Sequence, residues 1–158
     1  MSKPTPFLWF DNNAEEAMNL YVSIFPNSKV LSTTRYPAGG PAPAGTVMTA
    51  QFSLNGQELV ALNGGPMHKF TDAISFTVSC ETQAEVDRYW EKLTAGGGQP
   101  GPCGWLKDRF GLSWQVVPTV LPKLLADKDA AKSGRAMAAM MKMSKLDIAA
   151  LERAHAGT

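Results

Sequence analysis

The side chains that most often bind catalytic metal ions are scarce in this chain of 158 residues. It contains two histidines, His68 and His155, and two cysteines, Cys80 and Cys103. Two histidines are too few for a three-histidine site, and a site with two histidines and one carboxylate would require both of them. We therefore expect no metal ion and no other cofactor.

Cys103 is the candidate nucleophile. A reactive thiolate needs a cation, a helix N-terminus or a base nearby, and Lys107 and Arg109 follow Cys103 closely in the sequence. His68 is a further candidate if the fold brings it near. These residues form no recognised dyad, and a small, packed and reduced thiol is the simpler interpretation for each cysteine.

The composition predicts a folded protein rather than a disordered tail or a fibre. Hydrophobic residues make up 44% and charged residues 18%, and the net charge is +1. A charge so close to zero provides no electrostatic footprint for nucleic acid. No apolar run is long enough to span a membrane, and residues 1–13 contain no apolar signal region. We expect a cytoplasmic protein with neither nucleic acid nor a membrane as its partner.

Hydrophobic periodicity predicts strands and helices in two similar series, followed by helices alone. The strands predicted from short apolar runs or from alternation are 7–10, 29–36, 46–54, 57–63, 73–80 and 112–117, and residues 105–108 lead into the turn before the last of these. The helices predicted from apolar positions at helical spacing or from composition are 14–25, 83–94, 121–127, 129–143 and 145–155. Asn55-Gly56 predicts a hairpin turn.

Individual polar residues fit structural roles beside these elements. Asp11 is predicted to cap the helix that begins at Ala14. Asp108 is predicted to hold the turn at Gly111 or to pair with Arg109. Methionines at helical spacing near the C-terminus are expected in the core or in a dimer contact, and they are Met137, Met140 and Met141.

The chain contains an internal repeat. A shift of 69 residues places Phe7 on Phe76 and Ile24 on Leu93, so that a strand followed by an amphipathic helix occurs twice. One such module exposes a whole sheet face, and two modules must therefore share a core. We expect an α+β fold of two paired βαβββ modules, 5–66 and 70–118, with a C-terminal helical extension, 119–156, in a single domain spanning 1–158.

Several segments carry a resemblance to a known family. They are Phe10-Asp11-x-x-Ala14-Glu15-Glu16-Ala17, Leu54-x-Gly56-Gln57, Ala61 to Pro66, Ser75-Phe76, Glu85-Val86-Asp87, Tyr89-Trp90, Cys103 to Pro118 and Ala139 to Asp147. Together they resemble the PhnB-like proteins of the vicinal-oxygen-chelate (glyoxalase/bleomycin-resistance) superfamily, whose members are often labelled 3-demethylubiquinone methyltransferase-like. The resemblance implies paired modules, each with a sheet curved around a cavity, in a homodimer.

The same resemblance implies a metal ion held by histidine and glutamate at fixed strand positions. The matching positions here carry Pro6 or Leu8, Val60 or Ala61, Ala73 or Ser75, and Gln115 where the enzymes commonly have glutamate. Gln115 is a neutral, weak oxygen ligand, so the ordinary ligand set is absent.

The methyltransferase label does not fit the sequence. The common S-adenosylmethionine enzymes use a doubly wound parallel sheet with a glycine-rich turn after its first strand. The triple glycine at 96–98 follows a helix instead and is typical of a helix stop. We therefore do not expect methyl transfer.

A polar, uncharged cavity is the remaining candidate site. If Gln115 faces the cavity, alternation along the strand predicts that Ser113 and Val117 face it too. The predicted ligand-binding residues are Asn63, Ser75, Thr77, Cys103, Ser113 and Gln115. The alternative is that these groups satisfy one another inside a filled barrel.

Three functional hypotheses follow. The first is a metal-free cavity for a small organic ligand, with Gln115, Asn63 and Ser75 as the groups that would polarise a carbonyl or enolate if the protein is an enzyme. The second is a ligand- or antibiotic-sequestering protein without turnover. The third is a metal-dependent enzyme of the glyoxalase or dioxygenase type whose ligands come from unexpected positions such as His68 or Glu58.

Overall fold

The computed structural model describes residues 3–158, which form eight strands and five helices. The strands are β1 (Phe7–Phe10), β2 (Lys29–Arg35), β3 (Val47–Leu54), β4 (Gln57–Asn63), β5 (Phe76–Cys80), β6 (Gln99–Pro100), β7 (Trp105–Lys107) and β8 (Ser113–Pro118). The helices are α1 (Ala14–Ile24), α2 (Gln83–Thr94), α3 (Val120–Leu125), α4 (Ala130–Met140) and α5 (Ile148–Ala156). No helix within 3–158 has the length and apolar character needed to cross a bilayer.

The chain divides into two compact units, the first ending at Phe70 and the second running Thr71–Thr158. The first unit contains a four-stranded sheet in the order β1-β4-β3-β2, and the second a four-stranded sheet in the order β5-β8-β7-β6. In each sheet the first strand of the unit runs parallel to the last, and the remaining pairs are antiparallel. The two βαβββ modules and the C-terminal helices are thus confirmed. That the units form a single domain stays a prediction.

In the first unit, one face of the sheet packs against helix α1. Alternation in β1 and β4 turns Leu8, Phe10, Leu59 and Ala61 to that side, where each is at most 6% exposed. The hairpin between β3 and β4 forms at the predicted Asn55-Gly56, whose positive φ angles of 46° and 88° are those that the tight hairpin turn requires.

The cap of α1 differs from the prediction. The N-cap residue is Asn13, whose side chain makes no capping hydrogen bond. The amide N–H of Ala14 instead donates to Oδ1 of Asn63, at the end of β4 and 49 positions away, over 2.8 Å. The prediction that Asp11 caps this helix was wrong, because local capping preference was overruled by a side chain that the parallel pairing of β1 with β4 delivers.

In the second unit, Asp108 holds the turn that leads into β8, as predicted. The residue is buried at 3% exposure. Its Oδ1 accepts hydrogen bonds from the backbone N–H of Phe110 and Leu112, at 2.9 and 3.1 Å. Its Oδ2 accepts the indole N–H of Trp114 at 2.9 Å. One carboxylate thus ties the turn to the core face of the sheet.

The repeat is offset by one residue between its strands and its helices. The buried face of β1 carries Leu8 and Phe10, whereas that of β5 carries Val78 and Cys80, a shift of 70 residues rather than 69. Superposing Phe7 on Phe76 was therefore wrong by one position within the strand. The reason is the turn before the helix, which spans 11–13 in the first unit but only 81–82 in the second.

The C-terminal helices form their own apolar cluster within the second unit. Leu121, Leu146 and Leu151 are buried at its centre. Partly buried residues packed against them include Met140 and Met143, whereas Met137 and Met141 are exposed, at 44% and 63%. The helix predicted over 129–143 ends at Met140, and the connection to α5 that follows takes on a separate role described below.

Candidate ligand-binding site

The sheet of the second unit has one face against helix α2 and an opposite face, here called the open face. Trp114 and Val116 of β8 are buried, at 3% and 0% exposure, on the helix side. Because successive side chains of a strand alternate, Gln115 and Val117 belong to the open face. This is the orientation that the sequence predicted for β8.

Strand register groups the open-face side chains into rows. Gln115 pairs with Thr77 of β5 on one side and with Trp105 of β7 on the other. Lys107 pairs with Ser113 and with Gln99 of β6. Residues paired across strands lie on the same face of a sheet. One row therefore has the indole of Trp105 beside the amide of Gln115, and the next has the ammonium group of Lys107 beside the hydroxyl of Ser113.

A cavity of about 440 Å³ adjoins these rows within the second unit. Its volume lies in the range of small-molecule sites, roughly 300–1,000 Å³. Most of its wall is apolar, and Trp105 and two prolines are among the residues that form it. The lining residues are Asp72, Gln99, Pro100, Gly101, Pro102, Trp105, Leu106, Lys107 and Ser113.

The charged part of the cavity is a group of three side chains, in which Ser113 and Lys107 both contact the carboxylate of Asp72. The Ser113 hydroxyl donates to Oδ1 of Asp72 over 2.7 Å, and Nζ of Lys107 lies 3.2 Å from the same oxygen. The hydrogen bond from Ser113, and then that from Lys107, lower the pKa of Asp72. Asp72 is therefore an anion at neutral pH and a weak base. Asp72 was not predicted from the sequence, and Lys107 was named there only as a cation near Cys103. The position of Lys107 opposite Ser113 in adjacent strands is the signal that could have indicated this group.

Ser113 is the predicted ligand-binding residue that lines the cavity, whereas Ser75, Thr77 and Gln115 lie on the same face of the sheet outside that lining. Nε2 of Gln115 donates to Oγ of Ser75 over 2.8 Å, and Thr77 follows on the same face with its side chain exposed. The carbonyl oxygen of the Gln115 amide is an acceptor. The structure thus brings Ser75, Thr77, Ser113 and Gln115 together on one face, as expected from the sequence.

Asn63 is placed elsewhere. It belongs to the first unit, and it shares a face with Ala61 as predicted, but that face is the one packed against helix α1. Its Oδ1 accepts the N–H of Ala14, its Nδ2 donates to the carbonyl oxygen of Val47 over 3.0 Å, and its own carbonyl oxygen accepts the Tyr36 hydroxyl. A role in ligand binding remains a prediction for Asn63, while its contacts are those of a structural residue.

The two cysteines differ in environment. Cys80 is fully buried, and burial raises the pKa of its thiol to about 11. Cys103 is half-buried in a turn with φ of 57°, and its Sγ lies 3.8 Å from Sδ of Met141. His68, the base suggested for Cys103, packs in the first unit with its ring edge-on to Trp9 at 4.8 Å between centroids.

The residues at the positions implied for a metal ion do not fit one. Leu8 and Ala61 are buried on the helix side of their sheet, and Ser75 and Gln115 are neutral groups hydrogen-bonded to each other. Glu58, suggested as an unexpected ligand, accepts a long hydrogen bond from Gln51 at 3.4 Å. Within 3–158 no group of three or more histidine, cysteine, aspartate or glutamate side chains is arranged to hold a metal ion.

Comparison with known proteins identifies the family. The sequence model described as 3-demethylubiquinone-9 3-methyltransferase matches residues 2–117. A PhnB protein of known structure from Bacillus cereus, named as a candidate 3-demethylubiquinone-9 3-methyltransferase, is 40% identical, with 75% of this chain and 100% of that chain covered and a TM-score of 0.67. The chain therefore belongs to the PhnB-like family that this sequence model describes.

More distant structures share the fold alone. Protein PA1353 from Pseudomonas aeruginosa is 22% identical, with a TM-score of 0.61 and coverage of 75% of this chain and 98% of that one. The fosfomycin resistance protein FosX from Listeria monocytogenes is 16% identical, with a TM-score of 0.52 and coverage of 78% and 97%. A search of curated proteins found no significant match.

Proposed function

We propose that the protein binds a small organic molecule in the cavity on the open face of the second unit, without a metal ion. The observation that carries this proposal is the group formed by Asp72, Ser113 and Lys107 beside the Trp105 side chain, in a cavity of about 440 Å³. Ligand sites typically combine apolar walls with a few polar groups that fix orientation.

The wall and the polar groups together suggest the kind of ligand. Trp105 offers a flat apolar surface for a planar ring. The carboxylate of Asp72 accepts hydrogen bonds, the ammonium of Lys107 donates them, and the amide of Gln115 can do both. A planar apolar molecule with a polar substituent at one end matches this distribution better than a highly charged metabolite, since Lys107 and Asp72 largely neutralise each other.

Binding, rather than a particular reaction, is the function that we propose. If the bound molecule carries a carbonyl group, we propose that Gln115 and Ser75, which lie on the same sheet face as Ser113, polarise it. Asp72, with its lowered pKa, is a poor general base, which favours a binding or sequestering role. Methyl transfer, named in the family description, is not part of the proposal, because neither sheet is doubly wound and parallel.

We also propose that the protein is a cytoplasmic homodimer. Apolar side chains on the first unit's sheet support self-association, since Phe7 is 60% exposed and its strand partner Val60 is only partly buried. At the edge of the same sheet, all of β2 is exposed, including Leu31 at 38%. A second copy of the chain that covers this sheet would bury both the Phe7 side chain and the exposed strand β2. Sedimentation velocity of wild type and of Phe7→Glu tests this part: the variant should be shifted toward monomer.

A fragment screen tests the binding proposal. Ligand-detected NMR with small planar compounds should find binders to the wild type, and Trp105→Ala should abolish their signals because it removes the ring's contact surface. Ser32→Ala, which changes an exposed hydroxyl on β2 of the first unit, is the matched control and should bind normally. Binding that survives Trp105→Ala would contradict the proposed site.

A further inference from the structure

The turn at residues 101–104 forms one wall of the cavity and leads directly into Trp105. Gly101 and Pro102 line the cavity. Within the turn, the N–H of Gly101 donates to the carbonyl oxygen of Trp105 over 2.8 Å, and the N–H of Trp105 donates to that of Pro102 over 3.0 Å. The backbone of Trp105, from which the indole projects, is therefore tied to this turn by two hydrogen bonds.

The C-terminal extension holds this turn from outside the sheet. The N–H groups of Cys103 and Gly104 donate to the carbonyl oxygens of Met143 and Ser144, each over 2.8 Å. The Ser144 hydroxyl donates to the carbonyl oxygen of Gly101 over 2.6 Å. Three hydrogen bonds thus join three residues of this turn to two residues of the connection between α4 and α5.

Gly104 is closely packed between the Leu146 side chain and the backbone of Val116. Gly104 has a φ of 84°, and a Cβ added to it would lie 2.9 Å from the side chain of Leu146 and 2.8 Å from the carbonyl oxygen of Val116. Glycine is required both by the left-handed backbone and by this close approach. Leu146 itself is fully buried.

Helix α2 fixes the same connection from its other side. Nε2 of Gln83 donates to the carbonyl oxygen of Leu146 over 3.1 Å, and its Oε1 accepts the N–H of Ile148 over 2.9 Å. Nζ of Lys145 lies 2.6 Å from Oδ1 of Asp87. The residues 143–148, here called the bracing segment, are therefore held between helix α2 and the cavity wall.

We propose that the bracing segment sets the position of Trp105 and thereby selects which ligands fit the cavity, with Ser144 as the positioning residue. The part about ligand selection rests on the proposed function. The part about Trp105 does not. The family match ends at residue 117, so the brace supplies a constraint on the cavity from outside the matched region.

Fluorine NMR of protein labelled with 5-fluorotryptophan tests the positioning. The chain has four tryptophans, and Trp105→Phe assigns the signal of interest. Ser144→Ala removes one side-chain hydrogen bond and leaves both backbone bonds of the brace intact. We expect it to shift or broaden the Trp105 signal and leave the other three in place. Ser144→Thr, which keeps the hydroxyl, should restore the wild-type signal.

The control is Ser133→Ala, whose hydroxyl bonds only within helix α4, to Ala130, and which should leave all four tryptophan signals of the chain unchanged. For fragments that bind the wild type, Ser144→Ala should change dissociation constants several-fold and reorder them, with threonine restoring the order.

An unchanged Trp105 signal in Ser144→Ala would overturn the proposal. A displaced Trp105 with unchanged fragment affinities would overturn its ligand-selection part. If no fragment contacts Trp105 in the wild type, a displaced signal in Ser144→Ala still supports the brace, and it is the proposed function that fails.

Discussion

Two replacements of the buried Asp108 should show how much stability its hydrogen bonds to the backbone contribute and how much its hydrogen bond to the Trp114 indole contributes. In Asp108→Ala, the backbone N–H of Leu112 and the indole N–H of Trp114 lose their acceptor, and both residues are buried, at 1% and 3% exposure. A buried donor left without a partner costs about 1–3 kcal/mol. The free energy of unfolding should therefore fall by about 2–6 kcal/mol.

Asp108→Asn should cost less. The amide keeps a carbonyl oxygen for the two backbone donors, but its NH₂ group then faces the indole N–H of Trp114, so that one donor instead of two is stranded, at about 1–3 kcal/mol. Urea unfolding followed by circular dichroism measures both variants. In the Trp114→Phe background, which has no indole N–H, the cost of Asp108→Asn should largely disappear. An Asp108→Ala variant as stable as the wild type, or an Asn cost that persists with phenylalanine, would refute this reasoning.

Three further predictions follow from single contacts. Gly64→Ala should destabilise the first unit by about 1–3 kcal/mol, since its Cβ would lie 2.4 Å from the Trp9 indole. Urea unfolding measures this, and an unfolding midpoint equal to that of the wild type would contradict the prediction. The pKa of Asp72 is lowered first by its bond from Ser113. Its stabilising contribution is therefore present above the ordinary aspartate range and lost as pH falls through the lowered pKa, and Ser113→Ala should move the NMR-detected midpoint back up. Cys80 is buried with a thiol pKa of about 11, so Ellman's reagent should titrate one of the two thiols in native protein and both after unfolding. Rapid reaction of two native thiols would show that Cys80 is accessible.

Elements governed by local chemistry could be predicted from the sequence. Helices α1 and α2 follow from apolar spacing over three turns, and the Asn55-Gly56 turn follows from the positive φ angles that these residues tolerate. The facing of β8 follows from its alternation, which the burial of Trp114 and Val116 confirms.

What escaped prediction depends on residues far apart in the sequence. The cap of α1 comes from Asn63, 49 positions away, and the polar group of the cavity joins Asp72 to Ser113, 41 positions away. Asp72 lies in the connection between β4 and β5 and has no periodic pattern around it. The bracing segment has the composition of a helix, because alanine, methionine and lysine carry helical propensity. Its contacts come instead from a distant turn, since Cys103 and Gly104 donate to the carbonyl oxygens of Met143 and Ser144.

Native mass spectrometry of gently purified protein, recorded before and after treatment with EDTA, distinguishes a metal-free ligand site from a metal-dependent one. We expect a retained organic molecule, no stoichiometric metal ion and a ligand mass that EDTA leaves in place. A divalent metal ion at one per chain, removed by EDTA together with the bound molecule, would contradict the account and move the function to a metal-dependent enzyme.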